Sequence, residues 1–62
     1  MDKEEAMQAV YQGKMVQCTK ENYPEIRSTL QDYAGRCVDE GDGLRAMIAL
    51  EEVKRLDKLH DF

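Results

Sequence analysis

Two thiols, Cys18 and Cys37, and one imidazole, His60, are the side chains of this sequence best suited to nucleophilic or metal chemistry near neutral pH. A thiol activated by an imidazole is a nucleophile, and the same groups are good zinc ligands. A zinc site, however, calls for a close pair such as Cys-x-x-Cys or His-x-x-x-His, and no such pair is present. Spacing allows a Cys and His nucleophilic pair, but catalysis also needs a cleft and a group to orient the base. A chain this small has little wall with which to enclose a substrate. The expectation is therefore a protein that is not an enzyme and holds no metal or cofactor. The thiols read as reduced small hydrophobes rather than as a disulfide, because Met1-Asp2-Lys3-Glu4-Glu5 lacks the apolar stretch of a secretory signal. The expected location is the cytoplasm.

The run Asp39-Glu40-Gly41-Asp42-Gly43 invites a calcium reading. An EF-hand loop needs ligands at its positions 1, 3 and 5 and a glutamate at 12. Counted from Asp39, position 3 is Gly41 and position 12 is Leu50, so the run reads as a turn.

These residues must be held by a chain of 62 residues, which makes one domain, residues 1–62. A domain of that size buries only roughly 60% of the surface it exposes when unfolded. Its core supplies about 3–5 kcal/mol, so a second subunit would be a natural source of further stability. The longest apolar run, Ala46 to Leu50, is far short of the roughly 20 residues of a membrane span. With 13 acidic and 9 basic residues and a net charge of -4, the chain would repel a phosphate backbone. Mimicry of DNA would need a long acidic run, and the acids here are mixed with bases. Neither nucleic acid nor membrane is an expected partner.

Hydrophobic spacing predicts a mainly α fold: a short first helix, an extended segment, and an antiparallel helical hairpin. The first helix spans roughly Lys3 to Gln12, with Asp2 and Glu5 at capping-box spacing, Gly13 as its stop and Ala6, Met7, Val10 and Tyr11 on one face. Lys14 to Lys20 alternates, with Val16 and Cys18 inward. It either covers the core or pairs with its copy in a dimer. The second helix begins at Asn22, Tyr23 and Pro24, where Asn22 and Glu25 again have capping-box spacing, and runs to about Glu40. Its stripe is Tyr33, Ile26, Cys37, Leu30, Ala34 and Val38. Gly35 lies within it, where a missing side chain suits a close neighbour. Gly41 and Asp42 stop this helix and start the third, which extends from Gly43 to about Asp61.

The third helix carries apolar residues on two sides. Leu56, Ala49, Val53, Ala46 and Leu50 form a stripe for the second helix, while Leu44, Ile48 and Leu59, with Phe62 if the helix reaches it, fall opposite. Met47 lies between. Glu51, Glu52, Lys54 and Arg55 read as a solvated face. The second side is covered either by the first helix and extended segment or by another molecule, and a twofold pair of hairpins would make a four-helix bundle. The reading adopted is a homodimer or a complex with another protein. Leu44, Ile48 and Leu59 carry the association, with Met7 and Tyr11 added from the first helix.

Two resemblances bear on function. Glu4-Glu5-Ala6-Met7-Gln8-Ala9-Val10 followed by Gly13-Lys14-Met15-Val16 resembles the opening "EEAxxAxxxGKxV" of short proteins encoded by bacteriophages and prophages. That resemblance covers about a quarter of the chain and implies a regulatory accessory factor that binds a host protein. Those chains often place an aromatic residue shortly after the valine, where Gln17, Cys18 and Thr19 stand here. Leu56-Asp57-Lys58-Leu59 looks like the end of the small helical-hairpin phosphatases that act on response regulators. Their pattern carries Ser three residues before the leucine and Glu immediately before it, where this chain has Val53 and Arg55. On the phosphatase alternative, Asp57 and His60 would carry an activity.

Overall fold

A computed structural model describes residues 1–60 and contains three helices: α1 (Lys3–Gln12), α2 (Tyr23–Asp39) and α3 (Gly43–Leu59). The expected continuation of α3 to Asp61, and Phe62, lie outside the described residues. No strand occurs among the described residues, and Lys14 to Thr19 forms a strap without regular secondary structure.

Local chemistry sets the helix boundaries. Asp2 accepts from the Glu5 amide at 2.8 Å while Glu5 accepts from the Asp2 amide at 3.2 Å, the reciprocal capping box expected from the spacing. Gly13 leaves α1 at φ +73°, which lets Lys14 donate back to the Ala9 carbonyl at 2.7 Å. The same device ends α2: Gly41 at φ +79° carries the chain round so that Asp42 donates to the Cys37 carbonyl at 2.7 Å. Asp42 then caps α3, accepting from the Arg45 amide at 3.1 Å. The start of α2 differs from expectation. Asn22 makes no side-chain cap; its oxygen takes the Thr19 amide at 2.8 Å and its nitrogen donates to the Met1 carbonyl at 2.9 Å. Pro24, which has no amide hydrogen, removes one of the donors that a cap would have served.

The hairpin α2 and α3 forms the body, and α1 packs across both of its helices. The core combines Ala6, Ala9 and Val10 of α1, Val16 of the strap, Tyr23, Ile26, Leu30, Ala34 and Cys37 of α2, and Ala46, Ala49, Val53 and Leu56 of α3. Alanines at facing positions admit close helix approach, and Ile26, Leu30 and Leu56 fill the volume between them.

Four face assignments change. On α1 the inward arc is Ala6, Ala9 and Val10, so Tyr11 turns out to solvent and Met7 is only half-buried. Val38 is 63% exposed, because the inward arc of α2 closes on Ala34 and Cys37 as the chain enters the turn. Leu50 is 46% exposed, since the stripe of α3 that meets the other helices is narrower than its apolar positions. Gly35 has open space around it, with no atom within 4 Å of where a Cβ would stand, so no neighbour requires it.

The side of α3 bearing Ile48 is covered from within the chain. Ile48 is half-buried against the core, and the strap is tied to the same helix one turn on, at Glu52. Glu52 and Arg55 are not a solvated face: Glu52 accepts from the Val16 amide at 2.9 Å and Arg55 donates to the Val16 carbonyl. The two side chains pair with each other at 2.7 Å. Together they supply the hydrogen bonds that a neighbouring strand would otherwise give Val16. Val16 therefore acts as a core residue of the strap, tied to α3 of its own chain.

Candidate functional site

Two places on the molecule gather side chains that a function could use. One is polar and lies where the start of α2 meets the end of α3. Tyr23 donates its hydroxyl to Asp57, and Arg27 grips the same carboxylate in a two-pronged bond, Nε to Oδ1 at 2.8 Å and Nη2 to Oδ2 at 3.2 Å. The ring of Tyr23 stacks on His60 with centroids 4.5 Å apart, and His60 Nε2 lies 3.4 Å from Cys18 Sγ. One continuous chain of contacts thus runs from the strap through His60 and Tyr23 to Asp57 and Arg27.

The electrostatics of this cluster favour cohesion over reactivity. Arg27 and then Tyr23 hold the Asp57 carboxyl below the usual carboxylate range. Burial, followed by the Asp57 carboxylate, pushes the Tyr23 hydroxyl up. Cys18 and His60 are within reach of one another, as spacing allowed, but burial pushes the Cys18 thiol up, with Arg55 opposing it. A reactive cysteine needs the opposite shift. Neither Cys18 nor His60 lines any of the three grooves described on the surface, and Cys37 sits apart in the core. No group of three or more metal-ligating side chains occurs among the described residues. No helix among them is long and apolar enough to cross a membrane.

The second place is apolar. Leu44, Met47 and Leu50 follow one another at i, i+3 and i+6 on α3, exposed by 68%, 61% and 46%. Val38, from the end of α2 and also exposed, lines the same groove as Met47 and Leu50. Between this ridge and α2 runs an open groove floored by Ala46 and Val53 and rimmed by Arg27, Asp57, Glu51 and Lys54. No residue of α1 lines it.

The residues expected to carry association are divided by this geometry. Leu44 belongs to the ridge. Leu59, 67% exposed, lies at the far end of α3. Ile48 is engaged with the core. Met7 is half-buried, with its sulfur 3.6 Å from Arg36 Nη2. Tyr11 is exposed, and the Arg45 guanidinium lies over its ring at 4.3 Å. The opposed side named from the sequence is thus not one continuous surface. Met47 and Leu50 replace Ile48 along the ridge with Leu44, and Val38 shares a groove with those two. A turn-by-turn projection assigned Leu50 and Val38 inward because it could not register where α1 would lie.

No protein-family model, curated protein or solved structure matches the chain.

Proposed function

We propose that this protein is a small, non-catalytic interaction module that works by presenting the Leu44, Met47 and Leu50 ridge, with Val38, to another protein. The observation that carries the reading is the exposure of four large aliphatic side chains side by side on a domain whose own core is already closed. Grouped exposure of this kind marks association surfaces, whereas isolated exposed aliphatics are ordinary. The Asp57 cluster supports the same reading, because both carboxylate oxygens of Asp57 are occupied by Arg27 and Tyr23 within the chain. It ties the start of α2 to the end of α3.

The N-terminal resemblance to bacteriophage accessory proteins suggests a regulatory role toward a host protein in the cytoplasm. The phosphatase alternative finds less support, since Asp57 would have to leave two partners to act. The test is affinity capture with the intact chain, compared with Met47→Glu and with the exposed control Gln31→Glu. Loss of a saturable protein partner for Met47→Glu alone, with an unchanged circular dichroism spectrum, supports the ridge. Equal capture by both variants rejects it.

A further inference from the structure

We infer that the occupant of the ridge is a second copy of this chain, with α3 packed antiparallel on its counterpart about a twofold axis at Met47. The inference rests on the interaction reading above and adds the partner and the register. In an antiparallel pair centred at Met47, each residue displaced toward one end of α3 faces the residue displaced equally toward the other. Leu50 then meets Leu44 of the second copy, and Met47 meets Met47. All three ridge leucine and methionine positions are matched at once, which no centre shifted by a full turn achieves. A shift toward the C-terminus sets Met47 against Glu51 or Lys54, both solvent-facing with side chains 67% and 78% exposed.

Charge supports the same register. Beyond Leu50, the exposed side of α3 continues with Lys54 and Lys58. Beyond Leu44 in the other direction lies the acidic turn, Asp39, Glu40 and Asp42. Asp39, Glu40 and Lys58 have no ion pair among the described residues. Antiparallel pairing about Met47 sets Lys54 of each copy opposite Glu40 in the acidic turn of the other, at both ends of the contact, with Lys58 one turn further out. A parallel pairing would set lysine against lysine and acid against acid, which is unfavourable. Methionine at the axis suits a self-contact, because its unbranched chain adapts to its own image.

Sedimentation equilibrium of the full chain over a concentration series tests this directly. The expected result is a dimer that Met47→Glu weakens by about thirtyfold or more in Kd, as for a central contact. Lys54→Glu is expected to weaken the dimer and the double variant Lys54→Glu with Glu40→Lys to restore it. A chain that stays monomeric and folded at high micromolar concentration overturns the inference but leaves capture of a different protein, and hence the interaction reading, standing. A dimer indifferent to Met47→Glu overturns the register. Met47→Cys supplies a second check, since oxidation should join the two copies at position 47, as mapped by peptide mass spectrometry. No bridge at that position in a confirmed dimer also overturns the register.

Discussion

Glu52→Ala should unfasten the strap from α3, and the size of the loss can be worked from the geometry. The Glu52 carboxylate accepts the Val16 amide at 2.9 Å and holds Arg55 at 2.7 Å, in a place where its side chain is only 15% exposed. A hydrogen bond to a charged group contributes about 1.5–3 kcal/mol. Arg55 is 27% exposed at its side chain and can recover some hydration once released, which sets the expected loss near 2 kcal/mol. Against a total of about 3–5 kcal/mol for a chain of this size, that is roughly half the stability. It corresponds to a fall in melting temperature of about 8–16 °C. The assay is thermal denaturation followed by circular dichroism, with amide hydrogen exchange at Val16 as a local probe. Glu51→Ala is the control, because Glu51 pairs with Lys54 at 3.9 Å and is exposed, so its loss should stay under about 1 kcal/mol. Glu52→Gln keeps an acceptor for Val16 but gives up the charge facing Arg55, and should fall between the two. Equal melting temperatures for Glu52→Ala and Glu51→Ala would show that the strap is held by the burial of Val16 alone.

Gly35→Ala should raise the melting temperature, since a methyl group there meets nothing and the change from glycine to alanine in a helix interior contributes about 0.5–1 kcal/mol. Ile48→Glu should unfold the domain by placing a carboxylate against the core, whereas Met47→Glu should leave a folded monomer, and their circular dichroism spectra distinguish the two. Acid should also destabilise the fold. Glu52 would be raised by burial, but Arg55 and the Val16 amide outweigh this and hold it low; Arg27 with Tyr23 lowers Asp57, and the Arg45 amide with its guanidinium lowers Asp42. Carboxyl groups lowered in the folded state contribute stability that is complete above the ordinary range near about pH 4. That contribution is lost as pH falls through the lowered folded values, so urea midpoints should drop on going below pH 4. A midpoint flat from neutral pH to about pH 3 would show that these pairs contribute nothing.

How much of this was legible follows from what each signal depends on. The α1 cap and the stops at Gly13 and Gly41 were readable because capping needs only residues a few positions apart, and all three appear in the structure. The hairpin followed for the same reason, through a turn too short for any other arrangement. Asn22 was misassigned because a distant group, the Met1 carbonyl, competes for it alongside Thr19. Leu50 and Val38 were assigned inward because periodicity marks which residues could be buried, while the width of the buried arc depends on how α1 crosses the hairpin. Glu52 and Arg55 had the spacing of an ordinary surface pair. Nothing local reveals that a strap far back in the sequence will donate a hydrogen bond to one and accept one from the other. Of the candidate site, periodicity marks Leu44 for association and sets Met47 between two apolar faces; both are exposed in the structure.

The strap also bears on strand addition at the surface. An extended segment on a surface offers a row of amides and carbonyls onto which another chain can add as a strand, and growth of that kind leads to fibres. Here the middle residue of the segment is closed on both counts, its amide by Glu52 and its carbonyl by Arg55. Any incoming strand would have to displace a charged pair before it could register with Val16. The clamp thus withholds both backbone groups of Val16 from strand addition, using side chains of a helix.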